Sequence, residues 1–428
     1  MHRVVRQTPC KTHWRKTAIL SATLCACFAA LAPLRASCQD QGDVKGSPAE
    51  PDDAQEVRQQ IATVQKLQPK LPDRGAALYF LAAAREHLRD SVEALALLKE
   101  CLALQEGFDP SGEPTFGEFH GTKEFTAMTD KVHRDFPAIA QAHEAFRTIA
   151  RDVVPEGLAY DAKRSVFYMS SLNRRKILQF ALDGVASDFV PAEKYGLLPI
   201  LGIRMSPGND TVWADSFSDA GVTELLHFDS SGNLLGRFKP LDSAKHGFND
   251  LVVRRNGEVL TTDSLANEVL RFEPVSQKFS PVTLHRPLFY PNGIALAADD
   301  HTLYVADSLG VVRVDLSSGD SRDVDPGPRS TLAGIDGLYW YNGALIGIQN
   351  GIGSPRIAAF RLSNDGLRVA HTTVLENRSN FTVLPTTGAI RGSDFYFIAN
   401  SQIDNMSNDK VMDVTKLDVI RIGVVRLP

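Results

Sequence analysis

From about Val153 to the C-terminus, apolar and polar residues alternate in short runs separated by turn-forming clusters, the pattern of half-buried strands. Matching runs occur at 165–169, 211–214, 258–262, 302–306, 344–348 and 394–398. Each follows a turn at 161–164, 207–210, 255–257, 299–301, 341–343 and 391–393, rich in residues that tolerate tight backbone bends. Further runs follow at 176–180, 268–272 and 310–314. Between 56 and 150 the spacing is helical instead. Ala77, Leu78, Phe80, Leu81, Ala84 and Leu88 share one face, followed by a second apolar set from Ala94 to Leu102. The break at 87–90 predicts two antiparallel helices with a short connection.

One short phrase opens every strand repeat. Its copies are Glu156-Gly157-Leu158, Leu201-Gly202-Ile203, Asn249-Asp250-Leu251, Asn292-Gly293-Ile294, Asp336-Gly337-Leu338 and Thr387-Gly388-Ala389. A period of about 45 residues is that of a four-stranded propeller blade. The pattern therefore predicts an all-β six-bladed propeller preceded by a small α-helical segment. Equivalent positions of successive blades converge on one axis, so the lead residues form a ring of Glu, Leu, Asn, Asn, Asp and Thr. Two carboxylates and two amide oxygens meeting there describe a site for a hard cation. Asn and Asp before Gly are also common turn formers, so the joint column carries the expectation rather than any single residue.

These phrases, read with their flanks as "VPEGLAYDAKRSVFYMSS", "FNDLVVRRNGEVLTTDS", "PNGIALAADDHTLYVADS" and "GIDGLYWYNGALIGI", resemble the metal-binding motifs of the senescence marker protein/gluconolactonase family. The resemblance runs from about Val153 to the C-terminus. It implies a regucalcin-like propeller hydrolysing lactones. It also implies Glu156, Asn292 and Asp336 as metal ligands, Asn249 as a substrate or metal contact, and Asp336 as general base. The implied cofactor is one divalent cation, Ca²⁺ first for an all-oxygen site, with Zn²⁺, Mn²⁺ or Mg²⁺ as alternatives. The segment "AALYFLAAAREHLRDSVEALALLKECLAL" resembles a tetratricopeptide repeat, which implies either a docking surface for a protein partner or a helical cap on the propeller.

The first 38 residues read as an export signal: basic at Arg3, Arg6, Lys11, Arg15 and Lys16, apolar through 18–34, with small residues around Ala36 and Ser37. A polar linker is expected at 39–55, the helical segment at 56–150 and the propeller at 151–428. The mature chain is then expected in the periplasm or secreted, without a membrane span. Four of the five cysteines fall in or beside the leader, leaving Cys101 alone and no disulfide framework. A net charge of −5 without a basic stripe gives no nucleic-acid footprint.

Two functions stay open on these residues. One is an exported metal-dependent hydrolase of the lactonase type, acting on a small lactone or ester at the top of the channel. The other is a propeller similar to the NHL-repeat type that binds ligand or protein, its cation only tying blades together. Histidines fall at no repeated offset, and no Gly-x-Ser-x-Gly elbow or phosphate-binding glycine loop is present. Asp263, Asp307 and Asn400 are expected to cap strand ends.

Overall fold

Six antiparallel sheets follow one another along the chain, and their second strands, such as Val259–Asp263 and Ala344–Gln349, are buried on both faces between neighbouring blades. The computed structural model describes residues 53–148, 150–407 and 409–428. The expected leader, 1–38, lies outside the described residues, as does most of the expected linker. Blade I comprises Pro155–Asp161, Val166–Ser171, Lys176–Phe180 and Ala186–Val190. Blade II runs from Ile200–Met205 to Leu234–Phe238, blade III from Phe248–Val253 to Lys278–Pro281, and blade IV from Ile294–Leu296 to Ser321–Asp323. Blade V runs from Ile335–Tyr341 to Val369–Asn377 and gains an edge strand, Ile139–Ala140.

Blade VI is assembled from segments on either side of the other five blades. Its strand order is Gly388–Arg391, Asp394–Ile398, Arg421–Arg426 and, outermost, His143–Arg147. His143 pairs with Val424 and Arg147 with Arg421. The ring therefore reaches back beyond the boundary expected at 151. The C-terminal strand is the third of its own blade, and residues upstream of 151 complete the sheet. Sharing one blade between distant segments staples the six-bladed ring shut, and "HEAFR" is too short to announce that role by its alternation.

The core is divided among the blade interfaces. Ile203, Val212 and Phe228 pack between blades I and II, with Tyr168 and Phe189. Phe360, Leu345 and Tyr304 fill the interface of blades IV and V, and Phe395, Phe397 and Ile346 that of V and VI. Phe146, from the closing strand, is buried with Phe167, Phe180 and Ile422 between blades VI and I.

Among the described residues four α-helices precede the ring: α1 (Ala54–Leu67), α2 (Arg74–His87), α3 (Ser91–Ala103) and α4 (Lys123–Asp135). The expected antiparallel pair is present as α2 and α3, and α1 begins two residues inside the expected linker. Helix α2 is buried nearly all round, as an Ala-rich element can be when neighbours lie on every side. Its Phe80 and Leu81 cluster with Phe289 and Leu309 of blade IV loops, while Tyr79 and Ala82 cluster with Ala333 and Ile352 of blade V loops. Among the described residues no helix is long and apolar enough to cross a membrane, and the one cysteine, Cys101, is free and buried.

Candidate active site at the axial channel

Each lead residue sits where the first strand of its blade begins. In blades I, II, III and V the pairing register slips there, between Pro155 and Leu158, Ile200 and Ile203, Phe248 and Leu251, and Ile335 and Leu338. Such bulges re-aim a side chain without ending the strand. The glycine that follows is required by the next blade. A Cβ on Gly157 would lie 2.3 Å from the carbonyl oxygen of Leu201, on Gly202 2.6 Å from that of Asn249, and on Gly293 2.5 Å from that of Asp336. Hydroxyls finish the circuit. Ser170 donates to the Leu201 carbonyl at 2.6 Å, Thr262 to that of Asn292 at 2.8 Å, and Thr386 to that of Glu156 at 3.1 Å. The expected column is thus a continuous ring of lead residues, blade VI returning to blade I.

Within that ring Glu156, Asn249 and Asp336 are all buried. Asp336 Oδ2 accepts from Asn350 Nδ2 at 2.6 Å, and the same amide donates to the Pro385 carbonyl at 2.9 Å. The Asn292 amide lies close enough to Asp336 to favour its charged form. Asn249 donates its amide to Ser264 Oγ at 3.0 Å, and Ser264 donates to the carbonyl of Pro291, next to Asn292, at 2.6 Å. That tether leaves the amide oxygen as the group Asn249 can offer. Glu156 Oε2 is buried without a hydrogen-bond partner. Burial first, then the neighbouring Asp336 and Asp250 charges, push the Glu156 carboxyl well above its usual range. Burial likewise raises Asp336, with the Asn350 hydrogen bond opposing it. The structure therefore brings Glu156, Asn249, Asn292 and Asp336 into one ring, with Leu201 and Thr387 completing it.

The residues that sequence reasoning missed lie around this ring. Asp250 stands where every other blade has glycine, and it is buried. Its carboxylate takes Arg204 Nη2 at 2.8 Å, and the Arg204 guanidinium lies 4.9 Å from the centre of the Tyr339 ring. Blades II and V face each other across a six-membered ring, so Arg204 and Tyr339 span the channel just below the lead residues. The break in the glycine column at Asp250 was the available signal. Asp215, fully buried, is pushed well above the usual carboxyl range by burial, against a hydrogen bond from Thr261 at 2.8 Å.

Capping residues behave as expected. Asp263 accepts from Gly247 and Ala266, Asp307 from Phe289 and Leu309, and Asn400 bridges Val419 and Arg421. His246, Asp263 and Glu268 also place ligand-type atoms within 4.8 Å of one another. His246 is committed to carboxylates on both nitrogens, Asp263 at 2.5 Å and Asp242 at 2.8 Å. It reads as an ion-paired imidazolium holding the loop into blade III.

Two structures border the site's end of the channel. Loops entering first strands and turns leaving second strands lie at that end, because the strands alternate in direction. The helices pack on such segments of blades IV and V, through Phe289, Leu309, Ala333 and Ile352. The helical segment is thus a cap over one side of the mouth. The opposite side carries an insertion between Ile398 and Arg421 of blade VI, with a short hairpin pairing Met406 to Val411. Its neck is clasped by Asn400 and by Gln402, which exchanges hydrogen bonds with Asp418. Its tip reaches blade II, where Asp409 N donates to Asp219 Oδ2 at 3.0 Å.

No family model matches this chain, and no curated protein matches it. Among solved structures, a gluconolactonase from Xanthomonas campestris is similar over 67% of this chain and 89% of its own, at 16% identity and a TM-score of 0.47. A virginiamycin B lyase from Staphylococcus aureus is similar over 67% of this chain and 99% of its own, at 18% identity and a TM-score of 0.46. A PQQ-bound aldose sugar dehydrogenase from Streptomyces coelicolor covers the same shares at 14% identity and a TM-score of 0.47. What this chain itself establishes is the six-bladed propeller with its N-terminal helices, as the strand pairing shows.

Proposed function

We propose that the lead ring is the active site of a lactonase-type hydrolase acting on a small lactone or ester, with one divalent cation held by Glu156, Asn249, Asn292 and Asp336. The observation that carries this reading is the buried Glu156 carboxylate, whose Oε2 has no partner, beside a second buried carboxylate at Asp336. Leaving such a group unmatched costs at least about 1–3 kcal/mol, and a cation among oxygen donors removes that penalty. The all-oxygen donor set fits Ca²⁺ better than a soft metal.

When bound, the cation supplies Lewis acidity toward a carbonyl oxygen. The remaining steps belong to the chain. Asp336, oriented by Asn350, takes a proton from water as the water oxygen bonds to the carbonyl carbon. The acyl C–O bond then breaks, and the leaving oxygen receives that proton. Asn249, fixed by Ser264, orients the substrate through its amide. The Arg204–Tyr339 bridge narrows the channel below, which favours entry and exit at the capped end.

The test is hydrolysis of sugar and aliphatic lactones by metal-stripped protein, before and after adding Ca²⁺, Zn²⁺, Mn²⁺ or Mg²⁺. Restored turnover supports the reading, and inactivity with every ion sinks it. The leader supports export as a further part of the proposal. N-terminal sequencing of protein recovered outside the cytoplasm should begin between about Ala36 and Asp40, and an intact Met1 there would remove it.

A further inference from the structure

The lead ring is not polar all the way round. Leu201 is its one purely hydrocarbon member, and it is buried in a cluster with Val154, Leu172 and Leu417. Leu417 belongs to the blade VI insertion. Packed against the same cluster, but only half-buried, are Phe217 of blade II and Ile403, Met406 and Val411 of the insertion. An apolar strip therefore climbs from the ring, at the Leu201 position, onto the underside of the insertion. It starts one blade away from Glu156 and from Asn249, which flank Leu201 in the ring. The insertion is held over this strip at both ends, by the Asn400 and Gln402 clasp at its neck and by the Asp219–Asp409 contacts at its tip.

Resting on the hydrolase reading, we infer that the substrate is a lactone or ester bearing an aliphatic chain, seated along Leu201, Phe217, Ile403, Met406 and Val411. The reacting carbonyl lies at the oxygen side of the ring, and the chain runs toward blade II under the insertion. A polyhydroxylated sugar lactone is the wrong shape of polarity for this wall. Its hydroxyls would lose water against hydrocarbon without gaining acceptors, whereas each methylene of an alkyl chain gains by burial.

The experiment uses the full-length protein with γ-lactones whose n-alkyl substituent grows from methyl to heptyl, beside glucono-δ-lactone. Turnover is measured after Ca²⁺ loading. Binding of the matching alkylcyclopentanones, which cannot be hydrolysed, is measured by calorimetry. The expected result is a rise of about three- to fourfold in kcat/KM and in ketone affinity per added methylene, until the wall is filled. In Ile403→Ser and Met406→Ser the ratio of long-chain to short-chain values should fall at least tenfold, and two variants guard against one that misfolds. A chain-length series that is flat in both turnover and binding, or a preference for glucono-δ-lactone, overturns the inference while leaving the hydrolase reading standing. No turnover of any lactone, with ketone affinity still rising along the series, sinks the hydrolase reading and keeps the apolar subsite.

Discussion

The carboxylate of Asp73 accepts hydrogen bonds from the Thr331 hydroxyl and the Leu332 amide, both at 2.8 Å, and so fastens the helical cap to blade V. Its other oxygen caps α2 by accepting from the Ala76 amide at 3.1 Å. The group is almost completely buried, at 1% exposure.

Burial pushes Asp73 up from 3.8 to about 6, outweighing the three hydrogen bonds that favour its charged form. The folded protein therefore binds the proton more tightly than the unfolded chain does. The contribution is fully present below the unfolded value and is lost as pH rises through about 6. The expected size is up to about 3 kcal/mol. The difference in unfolding free energy between wild type and Asp73→Asn should become less favourable to wild type between pH 4 and pH 7. A difference that stays constant with pH would show that Asp73 is already ionised throughout.

Removing one ring charge without changing shape separates binding from folding. Glu156→Gln and Asp336→Asn should each weaken Ca²⁺ binding by on the order of a hundredfold, since affinity tracks ligand charge. Metal-free Glu156→Gln should be as stable as wild type or more so, by about 1 kcal/mol, because it neutralises a buried carboxylate whose Oε2 has no partner. Asn256→Gly and Asn342→Gly, in turns far from the ring, should bind as wild type does. Calorimetric titration of all four variants decides it, and unchanged affinity in both ring variants would rule out the ligand set.

The glycines of the lead phrases are predicted to be intolerant for a backbone reason. Gly293→Ala would set its Cβ 2.5 Å from the Asp336 carbonyl oxygen, and that atom cannot swing aside. The expected loss is about 1–3 kcal/mol, with metal affinity falling too because Asp336 is displaced. Gly117→Ala, which meets open space, should be neutral. Chemical denaturation of both variants tests the contrast, and equal stability would mean that neighbouring blades separate easily.

The repeated phrase made the ring legible in the sequence because two physical demands coincide there. The lead residue must face the axis, and the next position must let a neighbouring carbonyl approach. Four carboxylate or amide leads could therefore be aligned without coordinates. The same logic hid Asp250, because an aspartate in a glycine column looks like a weaker copy of the motif until Arg204 is seen against it. The helices were legible from their spacing, but their placement over blades IV and V depends on Phe80 meeting Phe289, a contact between distant segments with no periodic trace. The insertion announced itself only as an overlong gap between Ile398 and Arg421.

Truncations should obey the strand pairing rather than the helix boundary. A chain beginning at Ala138 keeps both Ile139–Ala140 and His143–Arg147, whereas one beginning at Arg151 strips the outer strand from blade VI. The Arg151 form is expected to melt well below the Ala138 form and to aggregate through the bared edge of Arg421–Arg426. Thermal melts followed by circular dichroism compare them. Equal melting temperatures would mean that the closing strand adds nothing to the ring.

Blade VI also sets the order in which this chain can fold. His143–Arg147 is synthesised before any complete blade and its partner Arg421–Arg426 after five of them, so nearly the whole propeller lies between the two. Blades I to V can form in sequence, but the ring stays open, with apolar faces such as that of Phe146 and Phe167 unmatched, until Arg421–Arg426 is available to pair. Pairings this distant are slow to form. The same staple that delays folding then resists opening, because no blade at the seam can peel away without parting from strands contributed by the other end of the chain. The late-made strand thus gates assembly, and afterwards it lengthens the lifetime of the closed ring.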